Sequence, residues 1–438
     1  MKAHQLEFKF HEGKLLEEIC AEATLRNAFK LVKRNKGAPG IDGLTIEDFE
    51  QNLLEELNQL KQEVLNWKYK PTPVKRVEIP KPDGKGVRLL GIPIIKDRVL
   101  HMAIKMVLEP ILDPKFSKSS YGFRPGKNQQ QAVEAARDYV RAGKEFVVDI
   151  DLSKFFDRIN HDRLIQRLSS RINDKRVLRL IGMILRSGIM ADGSVTILYE
   201  GSVQGSPLSP LLSNLVLDEL DKELEERNLE FCRYADDCNI FVKTERAAVR
   251  VMGSIKKFIE TKLKLKVNEE KSKVAKADQV KFLGMTIVNG LIAISKKAIN
   301  KAMDTIKTLI PRGTHQTIEK AIEQINVWYN GWASYFKMTQ YPAQLAGIEA
   351  HIRRRLRARF VKQQKRRRNL YRKLIKQGVG KKMAAKTVYT NKGTWNLSHT
   401  RAVEKAFSNN WFVKAGLKII SNLELSHWEP VDKWVKLM

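Results

Sequence analysis

Two short apolar, β-branched runs carry carboxylates where a buried strand can least tolerate them. Residues 145–152, EFVVDIDL, read as a buried strand with Asp149 and Asp151 on one face by the two-residue alternation. Residues 231–243, FCRYADDCNIFVK, read as a hairpin interrupted by polar residues only at its middle, which puts Asp236 and Asp237 in an acidic turn. Adjacent carboxylates in a low dielectric repel one another unless a cation sits between them. Two-metal phosphoryl transfer needs this arrangement, with carboxylates from separate strands holding two ions about 4 Å apart. The plainer alternatives are an acidic surface turn at 236–237 and an Asp149 that caps a neighbour or pairs with an arginine.

The charge balance points the same way. Among 438 residues, 80 are Lys or Arg and 49 are Asp or Glu, for a net charge of +31. Such an excess suits a polyanion, most often nucleic acid. A hydrophobic content of 43% excludes a disordered chain, and the length suits several folding units of roughly 100–200 residues each. Cys20, Cys232 and Cys238 form no CxxC and exclude a disulfide-stapled fold. No uncharged apolar run is long enough for a membrane span, and charges throughout the opening segment do not suit a signal peptide. A cytoplasmic, nucleic-acid-associated location is therefore expected, with no membrane contact.

Apolar spacing predicts helices over 14–34, 45–67, 97–112 and 127–142, with Thr45 as an N-cap. Between the second and third, residues 74–79 and 87–92 predict a hairpin about Pro82-Asp83-Gly84. Two further amphipathic helices follow residue 295. From His351 to Val403 there are 18 Lys and Arg and no acid, and a domain boundary is expected near 345.

Taken together, these residues resemble the reverse transcriptases. DIDLSKFFD matches the family's first catalytic motif and YADD its second. Between them, residues 201–214, GSVQGSPLSPLLSN, look like its PQG-x-x-x-SP-x-L-x-N segment. RNKGAPGIDG, PKPDGKGVRLLGIP, SYGFRPGK, KVNEEKSKV, FLG and NGWASYF narrow the resemblance to a compact bacterial group II intron-encoded reverse transcriptase and maturase, over about residues 20 to 420. The resemblance implies an α+β right-hand polymerase. Residues 1–135 would form an N-terminal extension and fingers interleaved with the palm, and 136–290 the palm with its antiparallel sheet. Residues 291–345 would form a helical thumb with the maturase X region, and 346–438 a basic DNA- and RNA-binding domain.

It also implies roles. Asp151, Asp236 and Asp237 would be the catalytic, metal-binding triad for two Mg2+ ions, with Mn2+ as a substitute. Lys81 and Arg88 would grip the triphosphate of an incoming dNTP, while Gln204 and Gly205 lie against nucleotide and template. Phe156 would exclude a ribose 2′-hydroxyl, and one ring of the Phe155–Phe156 pair is expected in the core. Arg124, Arg353, Arg354, Arg355, Arg357, Arg359, Arg366, Arg367 and Arg368 would contact nucleic acid. Trp395, Trp411, Phe407 and Phe412 either stack on bases or form a small core. Val203 replaces the family's usual proline, which removes no chemical group. The clustered Cys and His residues of an HNH endonuclease are expected to be absent, since after residue 403 there is no Cys and only His427.

The implied activity is RNA-directed DNA synthesis on an RNA template, with group II intron RNA the implied template, from a DNA primer or target, by a monomer or dimer. The alternatives are a splicing cofactor that mainly binds RNA and a domesticated relative that serves defence or repair without an intron.

Overall fold

The computed structural model describes residues 14–80, 86–191, 194–197, 199–313 and 316–419. Its contacts divide the chain into two units, Met1–Tyr139 with Gly143–Ala275, and Val140–Ala142 with Lys276–Met438.

In the first unit the helix expected over 14–34 is two, α1 (Leu15–Ile19) and α2 (Glu22–Arg34), because Ala21 turns extended to start the second. The next is also two, α3 (Ile46–Gln51) and α4 (Leu53–Leu65). Thr45 opens α3 with a capping box. Its hydroxyl accepts from the Asp48 N–H, while the Asp48 carboxylate accepts from the Thr45 N–H. β1 (Val74–Pro80) and β2 (Val87–Ile92) pair from Lys75↔Ile92 to Pro80↔Val87, and the turn between them lies outside the described residues. Then come α5 (Ile95–Leu112), α6 (Gln129–Arg141), β3 (Phe146–Ile150), α7 (His161–Ser169), α8 (Lys175–Leu185), β4 (Ile189–Ala191) and β5 (Ser194–Thr196). The unit continues through α9 (Ser209–Glu226), β6 (Glu230–Tyr234), β7 (Asp237–Val242), α10 (Glu245–Phe258) and β8 (Lys273–Lys276).

Two four-stranded sheets result, ordered β2-β1-β4-β5 and β6-β7-β3-β8. In the second, β7 runs antiparallel to both β6 and β3, so the two acidic runs of the sequence are neighbours, with Ile150 opposite Cys238. Val148, Ile150, Phe231 and Ile240 join the core that α5, α9 and α10 also supply.

One residue of β6 breaks its apolar pattern. Arg233 is fully buried and uses all five of its N–H donors. Nε and Nη2 donate to the two Asp221 carboxylate oxygens at 2.6 and 2.5 Å. Nη1 donates to Asn214 Oδ1 at 3.0 Å and to the Ala235 carbonyl at 2.9 Å, and Nη2 also to Ser120 Oγ at 2.8 Å. Asp221 is equally buried, and the ion pair keeps the guanidinium charged against the penalty of burial. One side chain thus ties α9, the 117–124 loop and the β6–β7 turn together.

The second unit opens with the hairpin β9 (Met285–Val288) and β10 (Leu291–Ile294). α11 (Lys296–Leu309), α12 (Ile318–Phe336) and α13 (Pro342–Gln363) follow, then α14 (Arg367–Lys376), α15 (Lys381–Val388), α16 (Thr394–Leu397), α17 (Arg401–Ala406) and α18 (Asn409–Lys414). Residue 345 lies in the first turn of α13, and one hydrophobic cluster runs from Ala302 to Ile419. The chain shows no structural break there, because Ile348, Ile352 and Leu356 of α13 pack in the same core as α11 and α12. Among the described residues, no helix is long and apolar enough to cross a membrane.

Removing one partner of a buried ion pair strands the other, so Arg233→Met should destabilise the first unit by about 3–5 kcal/mol. Adding Asp221→Leu should recover much of that loss. Urea unfolding of the two single variants and the double variant measures the coupling, and additive losses would show that the pair is not the fastening.

Candidate active site

The β6–β7 hairpin closes through two residues, with Tyr234 opposite Asp237 and Ala235-Asp236 at the tip. Ala235 has φ 58°, which disfavours a residue with a Cβ. Two contacts hold it there. Arg233 bonds its carbonyl from below. Gly122 presses on it from the side, where a Cβ would come within 2.3 Å of the Ala235 nitrogen. The acidic tip is therefore a fixed turn, with Asp236 half-buried and Asp237 exposed.

Asp151 follows directly on β3. The 266–272 loop fixes its backbone. Ser272 Oγ accepts its N–H at 3.0 Å, and its carbonyl accepts from the Asn268 N–H at 2.8 Å. Lys271 Nζ stands 3.6 Å from Asp151 Oδ2. Burial pushes the Asp236 carboxyl above the usual aspartate range, and the negative charge of Asp151 pushes it further. Arg88 and Lys271 oppose that rise, which sets both cations within electrostatic reach of the tip. Asp149 lies within β3 opposite Asn239. Among the described residues, no three of His, Cys, Asp and Glu converge closely enough to hold an ion as they stand. The donor chemistry nonetheless fits a hard divalent cation, since two mutually repelling carboxylates offer only oxygen ligands.

The Phe pair splits. Phe155 is 3% exposed and Phe156 half-buried, their rings edge-to-face at 5.2 Å. The Phe156 carbonyl accepts from the Ser202 N–H at 2.7 Å, so the 201–206 loop leans on the Phe turn. The same loop is bonded to β2, where the Gln204 carbonyl accepts from the Gly91 N–H at 2.7 Å. Gly205 has φ 122°, and a Cβ on it would stand 2.4 Å from the Gly91 carbonyl oxygen, so only glycine fits this turn. Val203 takes the position of the usual proline, and its carbonyl accepts from Ser209 Oγ at 2.8 Å. Lys81 lies outside the described residues, and Arg88 is exposed on β2.

Five of the arginines expected to contact nucleic acid are turned into the protein. Arg124 is turned inward. It pairs with Asp113 at 2.7 Å and donates to the Asp113, Ser117 and Ser120 carbonyls, which clamps its own loop. Arg355 donates to the Lys307 and Ile310 carbonyls, and Arg359 to that of Gln316. Arg357 donates to the Phe407 carbonyl, and Arg353 is buried beside Glu349. For Arg355, Arg357 and Arg359 the reason is the position of α13, which packs within the second unit and turns them onto helix ends and loop carbonyls. Arg354 is half-buried, while Arg366, Arg367 and Arg368 are exposed. Phe407 and Phe412 are core, and Trp411 packs edge-on against both at 5.0 Å.

Sequence reasoning missed Arg233 with Asp221, and also His101. The His101 Nδ1 lies 3.0 Å from Ser206 Oγ beneath the Gly205 turn, and burial drops its pKa to about 3, so the ring is neutral. A lone arginine inside FCRY was the available signal for the first. Nothing in the α5 sequence singled out the second.

Comparison with known proteins gives the family of the chain. Residues 79–287 match the reverse transcriptase (RNA-dependent DNA polymerase) family model, and 299–378 match the group II intron maturase-specific domain. Protein YkfC of Escherichia coli is 32% identical over 316 residues, 63% of this chain and 83% of that one. Group II intron-encoded protein LtrA of Lactococcus lactis is 28% identical over 355 residues, 65% of this chain but only 59% of LtrA. A putative COX1/OXI3 intron 1 protein of Saccharomyces cerevisiae is 35% identical over 196 residues, 44% of this chain and 23% of that one. A solved chain titled as a partial Cas6-RT-Cas1–Cas2 complex shares 27% identity over 56% of this chain and 42% of its own, at a TM-score of 0.37, too loose an overlap to carry an argument.

The raised pKa of Asp236 has a consequence for the metal-free protein. Its ionised form is disfavoured in the folded state, so its contribution to stability is present below the unfolded pKa of about 4 and is lost as pH rises through the higher folded value. Asp236→Asn removes that loss. In EDTA it should raise the melting temperature at pH 7–8 and make no difference near pH 3. An equal shift at both pH values would point to packing instead of charge.

Proposed function

The chain belongs to the group II intron-type reverse transcriptases, RNA-directed DNA polymerases with a maturase domain, and from that premise we propose which of its residues do the work. The observation that carries the reading is the fixed acidic turn, which brings Asp236 into electrostatic contact with Asp151 beside Arg88 and Lys271. Asp151 and Asp236, with Asp237 next to them, would hold two magnesium ions, with manganese as a substitute, and such ions would supply activation of the primer 3′-hydroxyl and charge neutralisation at the pyrophosphate leaving group.

The protein's own groups position the substrates. Arg88, together with Lys81, draws in the triphosphate of the dNTP, for which charged forks are suited. Gln204 and Gly205 offer a backbone surface that nucleotide and template approach closely. Phe156, half-buried over the core ring of Phe155, stands under the sugar and rejects a 2′-hydroxyl by contact. On this reading residues 1–135 serve as fingers, 136–290 as palm, 291–345 as thumb and 346–438 as the basic nucleic-acid-binding region. The template is RNA, and the intron's own RNA is the proposed host. The exposed Arg366, Arg367 and Arg368, with Arg354, contact its backbone.

A second role has its own support in the maturase-specific match over 299–378, which covers the thumb and the start of the basic region. We propose that this part binds intron RNA and assists its splicing independently of polymerisation. Asp236→Ala with Asp237→Ala should reduce primer extension on an RNA template by roughly three orders of magnitude or more and leave RNA-assisted splicing intact. Full extension by this double variant would sink the metal assignment, and loss of both activities would sink their separation.

Sugar selection tests the Phe assignment. Phe156→Ala should raise the ratio of kcat/KM for a ribonucleotide to that for its deoxy counterpart by tenfold or more, at about 1.4 kcal/mol per tenfold. Phe155→Ala should instead lower stability through its lost core packing. A ratio that rises in the Phe155 variant and not in the Phe156 variant would reverse the assignment.

A further inference from the structure

The second unit contains a cavity of about 640 Å3 with a cationic lining. One wall is α13. Gly347 has no side chain and Ala350 only a methyl group, which leaves the hollow open, and Arg353, Arg354 and Arg357 follow along the helix. The facing wall comes from His399, Glu404, Ser408 and Asn409. Arg353 and Arg357 are 9% and 7% exposed. Arg353 Nη1, Arg354 Nε and His351 Nε2 are buried without a hydrogen-bond partner. The carboxylates nearby do not satisfy the arginines. Glu349 is 3.8 Å from Arg353 and Glu404 is 4.0 Å from Arg357, both beyond hydrogen-bond reach. Glu404 is itself engaged by His399 at 2.8 Å. The Arg354 guanidinium lies over the Trp395 ring at 4.2 Å, which fixes its plane.

Buried guanidinium N–H groups left unpaired cost stability, and an anion with several oxygens relieves that cost. We propose that this cavity is a phosphate-binding site, separate from the palm. Its volume falls within the usual range for ligand sites and suits a phosphate carrying a nucleoside-sized group better than a lone ion. Three arginines against Glu404 exclude a cation. Arg353 and Arg357 are the buried cations of the lining and Arg354 the half-buried one, and forked guanidinium donors suit the several oxygens of a tetrahedral group. The shared chemistry is a phosphate group. Its assignment to a backbone phosphate of bound RNA rests on the nucleic-acid reading above, whereas the site itself does not.

The test is isothermal titration of the full-length Asp236→Ala, Asp237→Ala chain with inorganic pyrophosphate in EDTA, which disables the palm and separates the two readings. One saturable site is expected. Ala350→Glu puts a carboxylate on an exposed lining position, and Arg354→Gln removes the half-buried fork. Each should weaken pyrophosphate about tenfold or more. Lys381→Gln with Lys382→Gln, exposed and outside the cavity, should leave the affinity unchanged. Circular dichroism of the Ala350→Glu variant checks that the helix persists. The absence of saturable binding, or equal weakening by the lysine control, overturns the proposal. A short RNA added to the saturated chain should displace pyrophosphate. Pyrophosphate retained beside bound RNA overturns the backbone source and makes a free phosphate compound the ligand.

Discussion

Arg233 holds the acidic turn in a shape that the turn would not keep alone. A buried guanidinium is tolerable only when every donor is used, and here all five are. Two go to Asp221 and one to Asn214 on α9, one to the loop at Ser120, and one to the Ala235 carbonyl inside the turn. Asn214 in turn donates to the Gly122 carbonyl at 2.8 Å, and Gly122 is the residue packed against Ala235. The left-handed Ala235 is therefore braced from two sides by one network. Without it, Ala235 would relax toward ordinary φ and Asp236 would lose its direction relative to Asp151.

The basic stretch shows how little charge counting says about where charges point. Eighteen cations without an acid from His351 to Val403 suggested a solvated, phosphate-facing surface. The fold divides them. Arg355 and Arg359 give their donors to carbonyls at the end of α11 and before α12, and Arg357 to the carbonyl of Phe407 at the end of α17, where helix termini leave acceptors unpaired. Exposed cations such as Arg366, Arg367 and Arg368 remain for a polyanion. An arginine beside a helix end in the core serves the same type of oxygen acceptor as one on a phosphate, and sequence cannot tell the two apart.

Much of the framework was legible because it follows from local rules. Thr45 capped where it was expected to, the 74–79 and 87–92 strands paired, and the EFVVDIDL and FCRYADDCNIFVK runs became neighbouring strands. The split at Ala21 and the break at Asn52 were not visible in the apolar spacing, which continues across both. The candidate site could be proposed from its carboxylates and Phe pair, since charge on a buried strand and adjacent rings are anomalies of composition. The inward turn of Arg124 was not visible, because a loop cation looks the same whether its carboxylate partner, eleven residues back at Asp113, is near or far in space. His101 and Ser206 could not be paired from sequence, because 105 positions separate them.

The two ion clusters of this unit have opposite requirements. Arg233 and Asp221 are fully matched, and burial makes that match rigid. Asp151 and Asp236 are left mismatched: burial first, and then the charge of Asp151, lifts the Asp236 pKa, and a divalent cation would relieve that repulsion. The mismatch cannot relax, because each carboxylate is carried by a braced backbone. Asp151 is held by Ser272 and Asn268, and Asp236 sits on the turn that Arg233 fixes. The same logic reaches the sugar-facing side. The Phe156 carbonyl holds Ser202, and the Gln204 carbonyl holds Gly91 of β2, so the ring, the Gly205 turn and the strand bearing Arg88 form one chain of backbone hydrogen bonds. The Phe156 turn and the strand bearing Arg88 are thereby both tied to the 201–206 loop, so a shift in either one is felt by the other.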